Sequence, residues 1–127
     1  MPSANRRKAI PIYSTMGDVE AILVYPYIFN LSGEWIGWIT ADRDIFSVHG
    51  HYVGWLSRDP RILRKRSSGH IKPRRIPPSA PQRIAAPASF PLAPMLPELP
   101  FGVIDVLVDA PDLLPCLDYG DLRDDMD

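Results

Sequence analysis

The chain predicts an all-β fold: a small barrel of repeated β-hairpins with pseudo-fourfold symmetry, followed by a disordered proline-rich and acidic tail. Three observations predict it. The stretches IYSTMGDVEAIL from Ile12, IFNLSGEWIGWI from Ile28 and IFSVHGHYVGWL from Ile45 repeat one pattern, with starts 16 and 17 residues apart, about the length of two short strands and their turns. Each unit places an x-Gly dipeptide between β-branched and aromatic flanks, as hairpins require. Nine of the 15 prolines lie between Pro73 and Pro100, so regular structure is expected to stop before them.

The order along the chain is therefore a disordered N-terminus (1–9), a hairpin-repeat domain (10–72), a proline-rich linker (73–100) and an acidic tail (101–127). A net charge of −1 conceals a strong asymmetry: Arg58 to Arg75 holds eight Lys or Arg against one Asp, and Phe101 to Asp127 holds eight Asp against Arg123. A basic band and an acidic tail are thus separated by the linker. The opening MPSANRRKAIPIY has no apolar run of signal-peptide length behind its basic residues, and no stretch is long enough to span a bilayer. The expected location is cytoplasmic, with peripheral association at a membrane surface. Cys116, the single cysteine, excludes an internal disulfide and a cysteine-built metal site.

Read as two-residue turns, Met16-Gly17, Ser32-Gly33 and His49-Gly50 set Leu31 opposite Glu34, Asn30 opposite Trp35 and Phe29 opposite Ile36. One face then collects Ile12, Val19, Ala21 and Leu23; Ile28, Trp35, Gly37 and Ile39; and Ile45, Tyr52, Gly54 and Leu56. The small residue, Ala21, Gly37 or Gly54, sits where neighbouring strands approach most closely. The other face carries Tyr13, Phe29 and Phe46, then Ile22, Trp38 and Trp55. Both faces are apolar, so one of them is expected to meet a tail segment, another copy or a ligand. A degraded fourth unit starts at Ile62 with a Ser68-Gly69 turn; Pro73 makes it a weak closing hairpin or edge. Val103 to Val108 reads as a short strand or one to two helical turns.

The aliphatic-aromatic pair, x-Gly turn and Gly-Trp-aliphatic ending (GEWIGWI, GHYVGWL), with the basic fourth unit and proline-rich arm behind them, resemble the bacterial four-fold β-flower proteins from about Ile10 to Lys72. The resemblance implies a shallow symmetric barrel with a hydrophobic centre and no established reaction. Relatives of that fold are similar to tubby-like and scramblase-like barrels, which implies attachment to phospholipid by analogy of fold. The first unit ends AIL without Gly-Trp, a departure from strict fourfold regularity.

Two sets of residues are candidates for binding. Phe29, Trp35, Trp38, Phe46, Tyr52 and Trp55 combine large contact area with polar tips and suit the lining of a site for a lipid or other apolar ligand, or simply a repeat core. Arg61, Arg64, Lys65, Arg66, Lys72, Arg74 and Arg75, together with Arg58, suit anionic head groups or phosphates, or pairing with the chain's own acids. Between Arg58 and Arg75 there are no aromatics, so sequence-specific nucleic-acid recognition is not expected. His49 and His51 flank Gly50 without a third ligand at metal-site spacing, and no metal or cofactor is expected. The absence of a Ser-His-Asp context, a phosphate-binding glycine loop or a zinc signature argues against an enzyme. The sequence supports a non-enzymatic binding or anchoring module, possible partners being a lipid or apolar ligand at the aromatic set. The alternative is a protein-interaction scaffold recruiting a protein partner through the proline-rich and acidic C-terminal tail.

Overall fold

The computed structural model describes residues 8–67, 69 and 71–116. Five of the eight tail aspartates, from Asp118 onward, lie outside these residues. Among the described residues eight strands follow one another in sequence order through a single antiparallel sheet. They are β1 (Ile10–Tyr13), β2 (Val19–Val24), β3 (Tyr27–Asn30), β4 (Trp35–Ile39), β5 (Asp44–Ser47), β6 (Tyr52–Leu56), β7 (Ile62–Lys65) and β8 (Val103–Asp105), with a helical turn α1 (Val106–Asp109) behind. The sheet curls into a half-barrel of four hairpins, as the repeats predict.

Among the described residues one turn is used five times. At residues 14–18, 30–34, 40–44, 47–51 and 57–61 the first residue's N–H donates to the fifth residue's carbonyl at 2.8–2.9 Å. In the first four, the fourth residue's N–H donates back to the first carbonyl; Pro60 has no N–H to do so. Ser14, Asn30, Thr40, Ser47 and Ser57 open the turns, and their side-chain oxygens accept N–H groups from inside the loop. The fourth place has positive φ at Gly17, Gly33, Gly50 and, unusually, Arg43. Arg43 is held there by its side chain, which donates to the carbonyls of Leu56 and Ser57.

These are three-residue loops with an αL residue, and that corrects the two-residue turns and the pairing next to them. Phe29 faces Trp35, not Ile36, and the register then shifts so that Ile28 faces Gly37 as expected. The extra residue is a bulge at Ile36, repeated at Glu20 and Val53. Each bulge moves the residue before it across the sheet. Trp35 and Tyr52 therefore join the aromatic face, and Ile36 and Val53 take their places among the aliphatic residues.

A single cluster draws on β1 to β7, including Ile12, Ile28, Ile36, Ile45, Val53 and Ile62, which only the concave side can bring together. Val106 and Leu114, from α1 and the segment after it, complete this cluster, with Leu107, Leu113 and Cys116 packed against it. The chain thus covers its own concave face. Asp105 caps α1 by accepting from Leu107 N–H at 3.1 Å.

The fourth hairpin differs from the expected one. β7 pairs with β8, Leu63 facing Asp105 and Lys65 facing Val103; Ser68 of the expected Ser68-Gly69 turn lies outside the described residues. The last strand therefore lies beyond Lys72, and the proline-rich segment becomes the loop of this hairpin. β1 and β8 form no ladder with each other. Their seam is bridged by Asp105, whose carboxylate accepts Thr15 N–H at 2.6 Å and Thr15 Oγ1 at 2.7 Å. Tyr13 N–H adds a bond to the Pro60 carbonyl at 3.0 Å.

Candidate functional site

Phe29, Trp35, Trp38 and Phe46 form one buried cluster, with Tyr27 and Tyr52 against it. Trp38 stacks on Phe46 with centroids 5.1 Å apart, and Tyr52 meets Phe46 edge-on at 5.7 Å. Both indole N–H groups are used within the sheet: Trp35 donates to the Gly37 carbonyl at 2.7 Å and Trp38 to that of Ser47 at 3.1 Å. Trp55 stands apart, half-buried between Asp44 and Leu63 in the ladder.

This face is covered by the proline-rich segment, which forms no helix or strand over residues 73–100, as expected, but is fastened along its course where the sequence predicts a disordered tail. Lys72 pairs with Asp44 at 2.7 Å, and that bond raises the Lys72 pKa. Arg75 lies over Phe46 and Lys72 over Tyr52. The Tyr27 hydroxyl donates to the Ser79 carbonyl, and Ile84 packs against the aromatic cluster. Farther on, the Tyr13 hydroxyl donates to the Pro91 carbonyl at 2.9 Å, Arg61 to that of Pro97 at 3.0 Å, and Arg66 to that of Phe101 at 2.5 Å. The arm thus passes the third, second and first hairpins in that order, crosses the seam and returns as β8.

Two of its attachments share one design. At the third hairpin, Arg74 Nε donates to the His49 carbonyl at 2.9 Å and Arg75 N–H to that of Gly50 at 2.9 Å. At the second, Arg83 Nε donates to the Ser32 carbonyl at 3.0 Å and Ile84 N–H to that of Gly33 at 3.1 Å. The arm's backbone approaches so closely that a Cβ on Gly50 or Gly33 would lie 1.9 or 1.8 Å from the Arg75 or Ile84 carbonyl oxygen.

The basic band is distributed among such contacts. Arg61 was expected on an anionic-binding surface; it is instead 2% exposed, and burial removes it from any external polyanion. Its guanidinium bonds Asp59 at 2.7 Å, Thr15 Oγ1 at 3.1 Å and the Pro97 carbonyl. Burial works against the Asp59 charge, but hydrogen bonds from Arg61 and Ser57 prevail and hold its pKa below the ordinary value. Arg64 donates to the Tyr52 and Val53 carbonyls; Lys65 is exposed. Elsewhere Asn30 and then Cys116 hold Glu34 in its ionised form, and burial raises the Tyr52 pKa. Among the described residues no group of three His, Cys, Asp or Glu could hold a metal, and no helix is long and apolar enough to cross a membrane.

Four hairpins in one antiparallel half-barrel, the last looped by a long arm that returns as its second strand, define a repeated-hairpin β protein. A family model described as 4-fold beta flower protein matches residues 10–104. The chain belongs to that family, and the match extends through the arm into β8. No curated protein and no solved structure matches it.

Proposed function

We propose that the protein is a non-enzymatic protein-interaction module whose half-barrel holds the proline-rich arm extended for recognition. The supporting observation is a contrast within the arm: its backbone is fastened from Lys72 to Phe101, yet Ile76, Leu92, Met95 and Phe101 are about nine-tenths exposed or more. A proline-spaced segment already held extended loses little entropy when a partner closes on it. Anchoring through the aromatic residues to a lipid or apolar ligand is the weaker reading, because such a ligand would have to displace the arm and would find the indole donors of Trp35 and Trp38 engaged.

A photo-crosslinker placed at position 92 or 95 of the full chain in a cell extract should give a discrete protein adduct. The double substitution Leu92→Ser and Met95→Ser should leave the melting curve unchanged and lower recovery of that partner about tenfold. Undiminished recovery, or no adduct at either position, contradicts the proposal.

A further inference from the structure

The two Arg-led attachments are nine residues apart, Arg74-Arg75 and Arg83-Ile84, and each seats on an x-Gly turn of identical hydrogen bonding. A third such turn exists at the first hairpin. Ser14 N–H donates to Asp18 at 2.8 Å, Gly17 N–H to Ser14 at 2.9 Å, and Gly17 has φ +93°. Nine residues after Arg83 the arm carries Leu92 where a third arginine would fall. Without that guanidinium it attaches to the Tyr13 hydroxyl through Pro91, and none of the described residues lies within 4 Å of the Cβ position of Gly17.

We propose that the Met16-Gly17 turn is a binding site for an extended, arginine-containing segment of another protein. That segment's guanidinium would donate to the Met16 carbonyl and the next residue's N–H to that of Gly17, as Arg83 and Ile84 do at Ser32 and Gly33. The charge pattern supports a cationic occupant. Arg83 adds to the forces that keep Glu34 ionised, and Asp18 occupies the place of Glu34 in the first turn. Beside the turn lies an open groove of about 380 Å³ lined by Thr15, Met16, Phe101, Val108, Asp109 and Arg66. Arg66 is turned onto the Phe101 ring and carbonyl; Asp18 and Asp109 are exposed. The groove can receive an apolar side chain following the arginine.

The probe is a fluorescent peptide with the arm's own sequence APQRIAAPA, residues 80–88, titrated into the full chain by anisotropy. Saturable binding is expected, weakened about tenfold or more by Gly17→Ala in the protein, by Asp18→Lys, or by alanine in place of the peptide's arginine. Circular dichroism of each protein variant separates lost binding from lost folding, and Asp18→Lys tests the site without changing φ at Gly17. No saturation, or binding indifferent to both protein variants, overturns the proposal. So does a concentration-dependent dimer that Gly17→Ala dissolves, which would assign the turn to a second copy. The Leu92→Ser and Met95→Ser chain should bind the peptide normally, so this site and the displayed arm stand or fall separately.

Discussion

Gly54→Ala is expected to destabilise the protein by about 3 kcal/mol, a large part of the stability of an ordinary small domain. A Cβ at this position would lie 1.9 Å from the Leu63 carbonyl oxygen and 2.9 Å from its carbon. Both atoms are backbone of β7, so relief requires the strand to move. Gly37→Ala should cost less, because its nearest atoms are the Phe46 carbonyl oxygen at 2.8 Å and a Leu114 methyl at 2.9 Å, the second of which can rotate away. The first unit already has Ala21 at the equivalent place. Denaturant unfolding followed by tryptophan fluorescence should rank the two substitutions in this order; equal effects would contradict this strand spacing.

Asp105→Ala is expected to cost about 2–3 kcal/mol by opening the seam. The carboxylate is 3% exposed and receives three donors, Thr15 N–H, Thr15 Oγ1 and Leu107 N–H. It joins the first hairpin to β8 and to the start of α1, so its loss is felt on both sides of the half-barrel. Thr15 Oγ1 also accepts from Arg61, which makes the site a network, and Thr15→Val combined with Asp105→Ala should cost clearly less than the sum of the two. Additive losses would show that Asp105 acts elsewhere.

Much of this fold is legible in the sequence because the repeats supply the same evidence several times. The Ala21, Gly37 and Gly54 series marks the close strand contacts, and the apolar character of both faces predicts that one of them meets a tail segment, another copy or a ligand; the tail does so through Val106 and Leu114. The turns are one residue longer than the sequence predicts, because x-Gly suits two-residue and three-residue loops alike. The missing signal was Ser14, Asn30 and Ser47, each three places before its glycine, whose side chains close the longer loop. That one residue decides which face Trp35 and Tyr52 occupy.

The closing strand was harder to read for a physical reason: Val103–Asp105 is separated from β7 by the whole arm, and local pattern carries no record of so distant a pairing. Of the candidate site, Phe29, Trp35, Trp38, Phe46 and Tyr52 do come together, whereas Trp55 lies outside the cluster. Arg61 looks like any other member of a basic run, and only the seam's geometry explains its burial. The nine-residue interval between Arg74 and Arg83 is visible in the sequence but has meaning only beside the turns on which those arginines sit.

Hydrogen exchange at the Arg75 and Ile84 amides of the intact chain tests most directly the claim that the arm is strapped to the hairpin turns. Both N–H groups donate to turn glycines, so both should exchange much more slowly than in a free peptide, by about tenfold or more, and Gly33→Ala should release Ile84 while Arg75 stays protected. Exchange at free-peptide rates at both amides would contradict the account.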